Sequence, residues 1–82
     1  MLEANIYITL KKTVSDPQGL AIKHALHSIH YDEVDKIRVG KIITLKLNIK
    51  SKDKAKERIG KMCSKLLANP IVEDYRVKIK GA

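Results

Sequence analysis

The sequence predicts an α+β fold, a two-layer sandwich in which a four-stranded antiparallel sheet carries two helices on one face. Three observations predict it. Some segments alternate apolar and polar residues, two others place apolar residues at helical spacing, and their order along the chain is β-α-β-β-α-β. The 82 residues allow one domain, spanning residues 1–82, with a small core.

The first strand and the first helix differ in the period of their apolar residues. From Ala4 to Leu10 every second residue is apolar, which is typical of a half-buried strand. Asp16 is a good N-cap, and Pro17 suits the first helical position because its missing N–H is not needed there. A helix is therefore predicted from Pro17 to about His30. Its predicted core-facing stripe consists of Ile22, Ala25, Leu26 and Ile29.

The middle of the chain resembles a β-hairpin. A second strand is predicted at Ile37–Val39, where apolar residues alternate with Lys36 and Arg38. Gly40–Lys41 is predicted to form the tight turn, since glycine tolerates positive φ. A third strand is predicted at Ile43–Ile49, the clearest alternation in the chain.

A second helix and a last strand complete the prediction. Ser51–Asp53 offers N-caps, and Asn69–Pro70 ends the helix because a residue before proline disfavours the helical region. Tyr75–Lys80 alternates as a strand, and Gly81–Ala82 is predicted to fray. The predicted apolar stripe of this helix consists of Ile59, Met62, Cys63, Leu66 and Leu67.

The charge is strongly basic, with 17 basic against 9 acidic residues and a net charge of +8. This balance suggests a polyanionic partner, but 14 of the basic residues are lysines spread along the chain, which favours a solvated surface. The lone Cys63 excludes an internal disulfide, and no apolar run approaches the roughly 18 residues of a membrane span. We therefore expect a soluble protein of the cytoplasm.

The sequence is poor in residues that could carry chemistry. It contains neither a Gly-x-Ser-x-Gly elbow nor a phosphate-binding loop. Cys63 lies on a predicted core stripe, where a cysteine acts as a small hydrophobe. His24, His27 and His30 could share a metal ion with Asp32 or Glu33, but solvated or partner-facing histidines are favoured. We therefore predict no catalytic, cofactor-binding or metal-binding residue on this chain.

The two predicted helices differ sharply in charge. Residues 53–68 include seven charged side chains, whereas residues 17–30 include only Lys23. Interface cores are depleted of charge, so the first helix is predicted to contact another chain. The face opposite its core stripe presents Leu20, His24 and His27. With Arg38 and Lys41, these are the candidate partner or oligomer contacts.

Two other functions stay open on the residues alone. The predicted topology also suits an RNA-recognition module, for which Tyr7 would be a stacking residue. However, residues 42–47 contain no aromatic residue, and the chain has no phenylalanine or tryptophan. A small regulatory domain of ACT-like topology is the other alternative.

Several segments, in order and spacing over nearly the whole chain, resemble the PurS family of small subunits of phosphoribosylformylglycinamidine (FGAM) synthase. The most specific combination is Asp16–Gly19 followed by His24–Ser28. The other matching segments are Ile6–Lys11, Tyr31–Val34, Ile37–Lys41, Met62–Asn69 and Val72–Tyr75.

The resemblance implies a bridge and not a catalyst. In that family PurQ releases ammonia from glutamine, and PurL uses ATP to convert formylglycinamide ribonucleotide (FGAR) to FGAM in purine biosynthesis. PurS-like subunits form a dimer that helps to hold PurL and PurQ together. The residues leave open whether two copies pair through a sheet edge, through the sheet face that bears Tyr7, Thr9, Ile42 and Thr44, or through the first helix. The resemblance therefore implies PurL, PurQ and a second copy as partners, with ATP and Mg²⁺ on PurL and no cofactor, nucleic acid or membrane on this chain.

Overall fold

The computed structural model describes residues 1–81. Within them, a three-stranded antiparallel sheet has the order β2-β1-β3. No helix among these residues is both long and apolar enough to cross a bilayer. The elements, in chain order, are β1 (Leu2–Leu10), α1 (Pro17–Ser28), β2 (Gly40–Leu47), α2 (Lys52–Met62), a π-helical turn (Cys63–Leu67) and β3 (Glu73–Gly81).

The four-stranded sheet predicted from the sequence is wrong, although the α+β class is right. The predicted strand at Ile37–Val39 is irregular. Its backbone is engaged elsewhere, since the Val39 N–H donates to Oδ2 of Asp16 (2.7 Å). That N–H is therefore not available to a strand partner, and the sheet has three strands.

The predicted hairpin turn at Gly40–Lys41 is also wrong. Gly40 begins β2 and pairs with Thr9, and no glycine among residues 1–81 has a positive φ. Glycine is needed there for close approach, because a Cβ would lie only 2.8 Å from the carbonyl oxygen of Ile8.

The core lies on one face of the central strand. The alternation predicted for β1 is confirmed, because its inward side chains are buried. Ala55 and Ile59 of α2 cover them, together with Cys63 at the start of the π-helical turn. Half-buried Ile43 and Leu45 on β2 flank this core. Predicted fraying at Gly81 is wrong, since Gly81 pairs with Leu2, and Ala82 lies outside the described residues. The inward residues of β1 are Leu2, Ala4, Ile6 and Ile8.

The end of the second helix departs from the predicted stripe. Ser51 caps α2 as predicted, accepting from Lys54 N–H at 3.3 Å. After Met62 the chain widens into the π-helical turn, in which Ala68 N–H donates to the Cys63 carbonyl (3.0 Å). This five-residue spacing rotates the side chains relative to an α-helix, and Leu66, predicted to be in the core, is 83% exposed.

The first helix does not lie on the sheet. Asp16 caps it as predicted, but it ends at Ser28, two residues before His30, which has φ 76°. Together with the returning segment 29–39 it forms what we call the arm. The radius of gyration of 16.3 Å exceeds the roughly 12 Å of a compact domain of this length, so the protein is elongated.

The core-facing stripe predicted for α1 is therefore wrong for the single chain. Gly19 is the only buried residue of α1. Ile22 is 44% exposed and Ile29 is 59% exposed, because only α2 covers the sheet. The predicted pair of helices on one sheet face is thus one helix and one arm.

Candidate assembly surfaces

A cluster around Asp16 fixes the base of the arm. The carboxylate of Asp16 accepts from Gly19 N–H (3.0 Å) and from Val39 N–H (2.7 Å). These two hydrogen bonds, with the nearby charge of Arg38, hold the pKa of Asp16 below its ordinary value of 3.8. Asp16 is therefore an ionised structural anchor and is unsuited to general acid–base work at neutral pH.

Arg38 ties the returning segment of the arm to the loop after β1. Its guanidinium donates to the carbonyl oxygens of Lys11 and Val14, both at 2.9 Å. Arg38 was predicted as a partner contact, and the structure gives it this internal role. The arm is thus held at its base by Asp16 from one side and by Arg38 from the other.

An open cavity of about 510 Å³ lies beside this base, between α1 and the returning segment. Its lining includes Ser15 but no histidine, so the hydroxyl has no neighbouring base to activate it. The carboxylate of Asp16 is already used by two backbone N–H groups. The cavity lining therefore offers no hydroxyl with a neighbouring general base that could activate it as a nucleophile. The charged lining residues are Lys12, Asp16, Lys23, Asp35, Lys36 and Arg38.

The other candidate contacts from the sequence are divided between the surface and internal bonds. Leu20 is 53% exposed and His24 is exposed. His27 is half-buried, and its Nε2 donates to the carbonyl of Val34 (2.8 Å), because a carbonyl can only accept. Lys41 is exposed on β2, 4.0 Å from Glu73. Within residues 1–81, no group of three His, Cys, Asp or Glu residues is placed to hold a metal ion.

Cys63 is part of the core, as predicted. Its side chain is fully buried between α2 and the sheet. Burial raises the pKa of the Cys63 thiol above its ordinary value of 9.0. The thiol therefore stays protonated at neutral pH and is not a nucleophile.

The apolar stripe of α1 is the surface that the sequence prediction misplaced. Ile22, Ala25 and Ile29 are exposed and Leu26 is half-buried. The accessible surface is 6307 Å², against roughly 5,000 Å² for a compact domain of this mass. Helical spacing revealed the stripe as an apolar face, and the low charge of the helix led to a predicted contact on its opposite face and not on the stripe.

The sheet face away from α2 is the second uncovered surface. Tyr7 lies at its centre with the Arg76 guanidinium carbon 5.0 Å and the Lys78 Nζ 5.7 Å from the ring centroid. Ile42, paired with Tyr7 across the strands, is 62% exposed. A tyrosine ring occupied by its own cations is a poor platform for stacking bases, which weakens the RNA alternative.

Proteins of known identity resemble this chain in sequence and in fold. Residues 3–81 match the family model PurS: Phosphoribosylformylglycinamidine (FGAM) synthase. The PurS subunit of phosphoribosylformylglycinamidine synthase from Bacillus subtilis is 44% identical over 98% of this chain and 94% of its own length.

Solved structures agree over the full length. Methanocaldococcus jannaschii PurS, one of the subunits of formylglycinamide ribonucleotide amidotransferase in the purine biosynthetic pathway, superposes with a TM-score of 0.91 at 35% identity. The two chains cover each other over 100% and 99%. A chain of the PurLQS structure from Thermotoga maritima superposes with a TM-score of 0.85 at 34% identity, covering 98% and 99%. The family match, the sequence identity and the shared fold establish that this chain belongs to the PurS family.

Proposed function

We propose that this chain is a non-catalytic bridging subunit of FGAM synthase, which holds PurL and PurQ together during the glutamine- and ATP-dependent conversion of FGAR to FGAM. Its membership of the PurS family and the PurLQS complex of Thermotoga maritima support this function. So does its side-chain chemistry, since Asp16 and Cys63 both have structural roles. A bridge acts by raising the local concentration of two enzymes for each other, so ammonia released by one reaches the other.

The uncovered apolar stripe of α1 is the observation that carries the proposal. A stripe of Ile22, Ala25, Leu26 and Ile29 facing water is unfavourable for a monomer. The surface beyond that of a compact domain, about 1,300 Å² by the same scaling, exceeds the roughly 800 Å² that each partner buries in a standard interface. A second copy of the chain is the proposed occupant, so that the bridge is a homodimer.

The sheet offers a surface in the dimer on which the α1 stripe can pack. In a two-layer α+β sandwich a second helix would lie beside α2 on the same sheet face. That place, over β2, holds half-buried Ile43 and Leu45. We place the α1 stripe of one copy over β2 of the other, which completes both sandwiches.

The remaining expectations follow from a bridging role. ATP and Mg²⁺ are assigned to PurL, with no cofactor on this chain. The cytoplasm is the proposed compartment. The predicted partner or oligomer contacts remain Leu20, His24, His27, Arg38 and Lys41. Of these, Leu20 and His24 are exposed on the side of α1 opposite the stripe.

Reconstitution tests the bridge directly. PurL and PurQ are assayed for FGAM formation with glutamine or with ammonia, with and without this chain. Omitting the chain should largely abolish the glutamine-dependent rate and spare the ammonia-dependent rate. Equal glutamine-dependent rates with and without the chain would refute the bridging function.

A variant tests the predicted contact at Leu20. Because this side chain is half exposed in the single chain, Leu20→Glu should leave the fold intact and weaken association, measured by analytical ultracentrifugation of the mixed subunits. Unchanged assembly would remove Leu20 from the contact surface.

A further inference from the structure

The open cavity beside the base of the arm carries an excess of positive charge. Its lining contains four cations and two carboxylates. Arg38 lies close enough to lower the pKa of Asp16, so these two charges offset each other. Three positive charges then remain against the single negative charge of Asp35. The three positive residues are Lys12, Lys23 and Lys36.

The lysines of this cavity have no carboxylate partner on the chain. Among the ion pairs of residues 1–81, none involves these lysines or Asp35. Lys23 is one of two half-buried lysines in the described part of the chain, and the other, Lys11, is paired with Asp74 at 2.8 Å. A lysine that gives up part of its hydration without a counter-ion favours an anion beside it.

Arg38 adds a donor that is already fixed in position. Its Nη2 donates to the carbonyl oxygens of Lys11 and Val14, which leaves other N–H groups of the guanidinium for a ligand. Because these two hydrogen bonds hold the side chain, a ligand would bind it with little further loss of side-chain entropy. Ser15 contributes a hydroxyl to the same lining.

The volume and the chemistry of the lining favour a small organic phosphate. The volume of about 510 Å³ lies within the roughly 300–1,000 Å³ of small-molecule sites. Exposed Leu20 and half-buried Ile37 make part of the lining apolar. A phosphate monoester carries about two negative charges at neutral pH and accepts several charge-assisted hydrogen bonds, so it matches the excess of cations better than a carboxylate does.

We propose that this cavity binds a small organic phosphate monoester. The three lysines hold the phosphate, and Leu20 and Ile37 contact the organic part. The site goes beyond the bridging role and involves binding alone, since its lining offers no activated nucleophile. It is compatible with the proposed dimer, because within residues 1–81 the lining includes no residue of the α1 stripe.

Isothermal titration calorimetry of the full-length chain tests the site with two monoesters, AMP and glucose 6-phosphate. Adenosine and glucose are the matched probes without the phosphate, and inorganic phosphate is the probe without the organic part. The Lys23→Gln/Lys36→Gln variant removes two charges from the cavity. Lys54→Gln/Lys56→Gln removes two charges from exposed positions on α2 and is the matched control. Circular dichroism checks the fold of each variant.

At least one monoester should bind the wild-type chain about tenfold or more tightly than its phosphate-free parent and than inorganic phosphate. Its affinity should fall as salt is added, because the contact is largely ionic. The cavity variant should bind this monoester about tenfold or more weakly, since it lacks two charge-assisted donors. The α2 variant should bind it like the wild type.

Four results would overturn the inference. The folded wild-type chain could bind neither monoester, or it could bind each one no more tightly than its phosphate-free parent. Inorganic phosphate could bind as tightly as the monoesters, which would make the cavity a site for an adventitious ion only. The α2 variant could lose as much affinity as the cavity variant, which would indicate unspecific attraction to a basic chain. None of these results bears on the bridging function, which the reconstitution tests separately.

Discussion

Gly19→Ala tests whether the base of the arm is as tightly built as the structure indicates. Gly19 is the one buried residue of α1, and it lies directly against the returning segment. A Cβ there would overlap the carbonyl oxygen of Ile37 and stand 3.0 Å from its carbonyl carbon and 3.1 Å from Oδ2 of Asp16. Its φ is not positive, so the penalty is steric and not conformational.

Gly60→Ala supplies the matched control. Gly60 lies within α2, and a Cβ there would have no heavy atom within 4 Å. In an open helix the change from glycine to alanine stabilises by about 0.5–1 kcal/mol. Both variants share this helical gain, so the difference between them isolates the steric cost at Gly19. Overpacking against a backbone atom costs about 1–3 kcal/mol, which sets the expected gap in the free energy of unfolding.

Urea denaturation followed by circular dichroism measures this gap. All chains are compared at one protein concentration, because association adds to apparent stability. Gly60→Ala should be more stable than the wild type, and Gly19→Ala should be less stable than Gly60→Ala by about 1–3 kcal/mol. Equal stability of the two variants would show that the arm is not packed against Ile37 as described.

Three further predictions concern the core and the Asp16 anchor. Ile59→Ala, at a fully buried position, should lower the free energy of unfolding by about 2–5 kcal/mol in urea denaturation; a change within error would contradict the assigned core. The Cys63 thiol should resist alkylation by iodoacetamide in the native protein and react once the chain is unfolded in urea, since burial raises its pKa; rapid native labelling would contradict this. Because the folded pKa of Asp16 lies below 3.8, its stabilising contribution is present above that pH and is lost as the pH falls through the folded value. Asp16→Asn should therefore lose less stability than the wild type on acidification to about pH 3, and parallel losses would refute the anchor.

Local sequence patterns correctly predicted the elements whose stabilising contacts lie between residues close in sequence. The alternation of β1, the Asp16–Pro17 start of α1 and the Ser51 cap of α2 all appear as predicted. Each depends on residues within a few positions of one another. The family resemblance was likewise carried by short motifs in order, and it proved correct.

The errors arose where a distant contact decided the structure. Ile37–Val39 alternates like a strand, but its backbone bonds to Asp16, which lies 23 residues before Val39. Leu66 fits the apolar period of α2 until the π-helical turn changes that period. No local pattern carries either piece of information.

The prediction that the α1 stripe faces the core of its own chain was wrong for a different reason. Helical spacing shows that Ile22 and Ile29 belong to an apolar face, but it does not show which chain covers that face. The candidate partner contacts remain predictions. Arg38 and His27 form internal hydrogen bonds, and Leu20, His24, Arg38 and Lys41 are exposed.

Sedimentation velocity of the wild-type chain and of the Ile22→Asp/Ile29→Asp variant tests most directly whether the chain acts through its exposed surfaces. We predict a dimer for the wild type and a folded monomer for the variant. Leu66→Asp, which alters an apolar residue 83% exposed on the other helical segment, should remain a dimer. A monomeric wild-type chain, or a variant that still dimerises with its stripe charged, would contradict the account.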